Sequence, residues 1–167
     1  SLNNTFLNVS YNNSRESVAS GSQLIRKWYY QAYVNDTTGL SVSAANVTAN
    51  NVSGSYNFNL TTNASGWTQI GEIIDYINTG SATGINRSYY SLYNIYARNS
   101  TYAIGSHTYN ATSNTNNLND LFTLINPGNV TTCGTLDTPN SVYTLGANIN
   151  TGGTCFNVTA NNITINF

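Results

Sequence analysis

Apolar and polar residues alternate over short runs along most of the chain, and a period of two predicts strands rather than helices. The first run sets Leu7, Val9 and Tyr11 on one side and Asn8 and Ser10 on the other. From Trp28 the runs lengthen into WYYQAYVND, LSVSAANVTANN, SYNFNLTTN and GWTQIGEIIDYINTG. Turn signals at Asp36–Gly39, Ser53-Gly54 and Ser65-Gly66 separate them. After a polar loop expected at 80–88 come YYSLYNIYARN and TYAIGSHTYNATSN. Leu118, Leu121, Phe122 and Ile125 also fit helical spacing, but the strands before them favour a strand. Asn126-Pro127-Gly128 closes this part, and some seven strands at this spacing predict a β-sandwich.

The final run, GGTCFNVTANNITINF, alternates twice. Phe156, Val158 and Ala160 form one apolar face, and Ile163, Ile165 and Phe167 form another after Asn161-Asn162. Two short strands are expected, the second running to the last residue of the sequence. Free strand edges usually carry charge or Pro against unwanted pairing, and these carry neither. The pattern therefore divides the chain into an N-terminal strand and connector (1–27), a β-sandwich (28–129) and a C-terminal β segment (130–167). The terminal strands are available for pairing between subunits. Leu2, Phe6, Leu7, Val9, Ile163, Ile165 and Phe167 are the expected interface residues.

Composition changes the picture in one respect. Only 7% of the 167 residues are charged, against about 25% in typical globular proteins. A net charge of −1 gives no electrostatic hold on nucleic acid or an anionic membrane. No run of apolar residues is long enough for a membrane span. In place of charge stand 30 Asn, 18 Ser and 23 Thr, while 13 Tyr, 5 Phe and 2 Trp argue against disorder. Ser1 at the start and the lack of Met suggest a mature, processed chain.

The Asn, Ser and Thr are not placed at random. Asn-x-Ser/Thr occurs fourteen times, at Asn3, Asn8, Asn12, Asn35, Asn46, Asn51, Asn59, Asn63, Asn86, Asn99, Asn110, Asn129, Asn157 and Asn162. Composition alone predicts about seven such sites. N-glycans are added on the secretory side, so the excess predicts an extracellular, cell-surface glycoprotein whose sugars supply hydration in place of charge. Sites expected in turns, such as Asn35, Asn63 and Asn86, should be the most fully occupied. The even count of two cysteines, Cys133 and Cys155, predicts a disulfide in that compartment.

Catalysis finds little support. Glu16, Asp36, Glu72, Asp75, Asp120 and Asp137 are scattered, and Glu72 and Asp75 point to opposite faces of a strand. The lone His107 has no identifiable partner and reads as a surface residue. One His with two cysteines is too few for a structural zinc site, and no phosphate-binding loop is present. No enzyme activity, metal or cofactor is expected. Trp28, Trp67 and the tyrosines could instead form a sugar-binding platform, which makes a monomeric surface adhesin or carbohydrate-binding module the alternative to a structural subunit.

Two resemblances sharpen these expectations. The segment YYQAYVNDTTGLSVSAANVTANN, followed by FNLTTNASGWT, resembles the carboxypeptidase-regulatory-like (transthyretin-like) domains of immunoglobulin type. The resemblance covers about residues 29–70 and implies an immunoglobulin-like sandwich. Some domains of that wider class link a Lys to an Asn side chain; Lys27 is the sole Lys, and the reading preferred for it is a free, solvated side chain. Residues 130–167 resemble the opening coils of right-handed parallel β-helix surface proteins of archaea, and SLNNTFLNVSYNNS resembles a closing coil. Here the two fragments flank the sandwich in reversed order. That order implies a structural filament or array subunit: the end of one copy meets the start of the next, and strands complement one another head to tail. The alternatives are that the two ends pair within one chain, or that the sequence is a fragment of a longer repetitive polypeptide.

Overall fold

The computed structural model describes residues 3–150 and 152–166. Among them the regular structure is all β apart from one 3-10 turn at Asn13–Arg15. In chain order the strands are β1 (Asn3–Leu7), β2 (Gln23–Asp36), β3 (Asn46–Asn51), β4 (Tyr56–Thr61), β5 (Gly71–Ser81), β6 (Gly84–Tyr89) and β7 (Tyr93–Asn99). They continue with β8 (Tyr102–Tyr109), β9 (Asn117–Leu124), β10 (Asn129–Val130), β11 (Gly134–Leu136), β12 (Val142–Leu145), β13 (Phe156–Val158) and β14 (Thr164–Asn166).

β2 organises the larger part. Its burial alternates without a break over fourteen residues, with Trp28, Tyr30, Ala32 and Val34 turned into the core. One edge carries β5, antiparallel along Gln23–Tyr30. The opposite edge carries two parallel strands end to end, β1 against Gln23–Lys27 and β9 against Tyr30–Asp36. β6 extends the sheet from β5 by a hairpin. A second sheet of order β4-β3-β7-β8 lies against the first, and Val47, Phe58, Leu60, Tyr93 and Ile95 share one core cluster with the β2 residues. The Tyr30 ring contacts Phe58 and Tyr109 at centroid distances of 4.9 and 5.4 Å. Burying an aromatic of this size contributes about 2–3 kcal/mol, so Tyr30 is a principal anchor between the sheets.

Several boundaries differ from the sequence reading, each for a physical reason. β2 begins at Gln23, inside the stretch expected as connector. The inward position there is Arg26, whose charge hides the alternation. The expected polar loop at 80–88 is largely hairpin, because Arg87 finds its partners on the connector rather than in solvent. The run LSVSAANVTANN forms a strand only from Asn46, after a turn in which Ala44 adopts a φ of 55°. Residues 117–124 form strand, as the context suggested.

The C-terminal segment winds differently. β10, β12 and β14 form one parallel sheet, β11 and β13 another, and the chain passes alternately between them. Gly134 lies beside Phe156 and Val142 beside Thr164, so equivalent positions stack 22 residues apart. Cys133 and Cys155 obey the same spacing and are joined by a disulfide with a Cα–Cα distance of 4.5 Å. This matches the roughly 4.8 Å between neighbouring strands. Closing a loop of that length contributes about 3 kcal/mol in the chain-entropy model. The disulfide fastens one coil to the next.

Candidate functional site

Of the expected interface residues, Phe6 and Leu7 lie on β1 and Ile165 on β14, while Val9 and Ile163 lie just outside these edge strands. Leu2 and Phe167 fall outside the described residues. β1 uses one edge to pair with its own β2, and Asn8 continues that pairing by donating its N–H to the carbonyl of Lys27 at 2.9 Å. The strand alternation does not continue past Leu7: Asn8 takes a φ of 52°, which turns the chain. Phe6 is 39% and Val9 44% exposed, and Leu7 is half-buried. At the other end, β14 pairs with β12 and β13 with β11, and Ile163 and Ile165 are half-buried. Among the described residues the two ends do not pair with each other within one chain.

The N-terminal arm is held by a cluster of charged side chains, Arg26, Glu16 and Arg87. Arg26, turned inward from β2, has its guanidinium over the rings of Trp28, Tyr11 and Tyr76 at 4.6, 5.1 and 5.6 Å. It donates to the Tyr76 hydroxyl at 3.1 Å and to the Val9 carbonyl at 3.5 Å. Glu16, on the connector, accepts from Tyr11, Tyr76 and Asn78 and pairs with Arg87. Burial alone would raise the Glu16 carboxyl; the hydrogen bonds from Tyr11, Tyr76 and Asn78, with the Arg87 charge, outweigh it and hold the group below its usual value. Burial, reinforced by the bond to Glu16, raises the Tyr11 hydroxyl well above its ordinary value. Arg87 also donates to the Asn13 carbonyl at 3.2 Å. Between the arm and β2 lies a groove of about 590 Å³ lined by Phe6, Tyr11, Val18, Ala19 and Leu24 among others.

Sequence reasoning missed this clamp because its bonded partners lie up to 74 residues apart. It also misplaced His107. The ring is part-buried, stacks on Phe122 at 4.5 Å and lies 3.0 Å from Asp120. Asp120 also accepts from the Tyr30 hydroxyl at 2.5 Å. Burial and the adjacent Asp120 charge raise the Tyr30 hydroxyl, keeping it a neutral donor. The trio ties β2, β8 and β9 together and is a structural clasp. Lys27 meets Glu72 at 2.9 Å, an ion pair rather than a free cation.

The fourteen sequons spread over strands and turns. Asn3, Asn35, Asn46, Asn51, Asn59, Asn86, Asn99, Asn129 and Asn157 lie on strands; Asn8, Asn12, Asn63, Asn110 and Asn162 lie between them. Asn35 and Asn86 are therefore not in turns as expected, whereas Asn63 is. At Asn12, Asn51, Asn63, Asn99 and Asn110 the side-chain oxygen accepts the N–H of the sequon's own Ser or Thr, and at Asn99 the amide nitrogen also donates to the Ser43 carbonyl at 3.0 Å. Asn51 is buried, and the others are exposed or half-exposed. No helix is long and apolar enough to cross a membrane, and no cluster of metal-ligating side chains occurs among the described residues. Compared with protein-family models, curated proteins and solved structures, the chain matches none.

Proposed function

We propose that this chain is a structural subunit of an extracellular, glycosylated filament or surface array, polymerising head to tail by β-strand complementation. An immunoglobulin-like sandwich forms its body, and the flanking segments form its joints. The observation that carries this reading is the contrast between stacked positions of the C-terminal coils. Leu136 is 2% exposed, whereas Val158, stacked on it 22 residues later, is 52% exposed. Tyr143 is buried, and its counterpart Ile165 is not. The second coil has the apolar positions of a covered layer and lacks the cover. β1 supplies a complementary feature, an edge strand with exposed Phe6 and no charge.

Contact between different surfaces at opposite ends does not close on itself, so it propagates a linear polymer. Shared backbone hydrogen bonds set the register and apolar side chains supply the affinity. The excess of sequons and the disulfide support the extracellular, cell-surface placement and covalent N-glycans as the second partner, with no nucleic acid or cofactor involved. Sedimentation velocity of the natively produced chain and of a form lacking Asn161–Phe167 tests the reading. The full chain should form large species with a mass per subunit well above 18.0 kDa, and the truncated form should be a folded monomer. A monomeric full chain at high concentration would instead favour an adhesin, with the neighbouring Tyr33 and Trp67 rings, 4.8 Å apart, as its platform.

A further inference from the structure

Four asparagines among the described residues adopt the same uncommon backbone conformation, and three of them, unlike Asn116, share one local sequence pattern. Asn140 and Asn162 both have φ of 57°, and Asn8 has φ of 52°. Non-glycine residues rarely enter this left-handed region, and Asn tolerates it best. Asn140 and Asn162 lead into β12 and β14 through Asn140-Ser141-Val142-Tyr143 and Asn162-Ile163-Thr164-Ile165, and Asn8 leads into the similar sequence Asn8-Val9-Ser10-Tyr11. In all three the third residue after Asn is a large apolar or aromatic one, and the second is small or β-branched.

The first two runs are already stacked. Asn162 donates its side-chain N–H to the Asn140 side-chain oxygen at 3.0 Å, and the Thr164 N–H donates to the Ser141 carbonyl at 2.9 Å. This is a ladder of asparagines at a coil corner, each amide serving the one beside it. The Asn162 side-chain oxygen has no partner among the described residues and is exposed, so the ladder stops with an acceptor free. The layer beyond it is uncovered, as the exposure of Val158 shows. The third run has the complementary defect. Asn8 is exposed, Val9 and Phe6 are exposed, and residues 9–12 are in no sheet.

We propose that Asn8 of a second copy of this chain adds the next rung to the Asn140–Asn162 ladder. β1 and residues 9–12 of that copy thereby form the coil that covers β13 and β14. The proposal rests on the reading of the chain as a self-assembling subunit and specifies its joint. Asn8 donates to the Asn162 oxygen; Val9 covers Ile163 and Tyr11 covers Ile165, as Ile163 and Ile165 cover Ser141 and Tyr143. Phe6 occupies the column of Ala160, two residues before the corner. Neither 1–14 nor 138–167 contains a charged side chain, so the two surfaces meet without desolvating one. The clamp of Glu16 and Arg26 fixes the arm beforehand, which lowers the ordering cost of association.

One consequence separates this joint from any other. Asn8 and Asn162 both begin sequons, yet successive rungs are only about 4.8 Å apart. A glycan on either nitrogen does not fit between them, so in assembled material both sites are bare while sequons elsewhere are available. The test introduces Ser10→Cys and Thr164→Cys together, exposed positions that the same register stacks while both asparagines stay in place, followed by mild oxidation of assembled protein. Stacked rungs lie within disulfide range, so a covalent multimer ladder on a non-reducing gel is expected, and neither single variant should give one. Asn8→Ala and Asn162→Ala should each raise the concentration needed for assembly about tenfold or more, since each loses a rung and strains the left-handed turn. Thr164→Val, which removes the sequon but keeps Asn162, should assemble like the parent.

Assembly of the double-cysteine protein without cross-linking overturns the joint while leaving self-assembly standing. A disulfide that closes within one chain overturns it too, because the arm then covers its own coil. So does loss of assembly in Thr164→Val, which would make the glycan rather than the amide the requirement. A parent protein that stays monomeric removes both the joint and the reading beneath it.

Discussion

Replacing Glu16 with Ala should detach the N-terminal arm and weaken the whole domain. The carboxylate is 3% exposed and holds Tyr11, Tyr76, Asn78 and Arg87 at once. Removing one member of a buried ion pair costs about 3–5 kcal/mol, because the partner charge is left unpaired. Arg87 is about a quarter exposed, so water recovers part of that loss and about 2–3 kcal/mol is the better expectation. With a urea slope of about 2 kcal/mol/M, the unfolding midpoint should fall by about 1–1.5 M. Hydrogen exchange should show β1 and the Asn8 N–H losing protection first, since both depend on the arm staying against β2. An unchanged midpoint together with unchanged β1 protection would refute the clamp. Acid should act through the same group. A carboxyl held below its ordinary value of 4.5 contributes stability that is fully present above that value. The contribution is lost as pH falls below 4.5 through the lowered native value, and Glu16→Gln should flatten this part of the profile.

Gly80→Ala should also dislodge the arm, because an added Cβ would lie 2.1 Å from the Ala19 carbonyl oxygen; β1 exchange should accelerate, and retained protection would count against that packing. Reducing Cys133–Cys155 should lower stability of the C-terminal coils by about 3 kcal/mol while leaving the core around β2 folded, and a thermal melt with and without reductant reads the difference. Glycopeptide mapping of native material should find sugar at Asn63, in its exposed turn, and none at Asn51, whose buried oxygen accepts from Ser53 and Ser55; the opposite occupancy would contradict this ranking.

The parts of this fold legible in the sequence are those where alternation is unbroken and apolar. Trp28–Val34, Phe58–Leu60 and Ile95–Ala97 announce themselves as strands, and the even cysteine count announces the disulfide. What escaped depends on partners far along the chain. Arg26 and Arg87 read as surface residues because Glu16 and the aromatic rings that receive them cannot be paired by local pattern. His107 reads as exposed until Asp120 and Phe122 are brought beside it by β9. The coil repeat was available in principle, since Cys133 to Cys155 and Asn140 to Asn162 share one spacing of 22. Its signal is the left-handed Asn, which a hydrophobic alternation cannot reveal.

In the proposed filament, copies of this chain complete one another's β-structure in a line. Negative-stain electron microscopy of the glycosylated protein, purified from its native source and kept at high concentration, tests it most directly. Unbranched fibres of constant width, with a repeat close to the length of one subunit, are the predicted result. A field of single compact particles, unchanged by concentration, would contradict it.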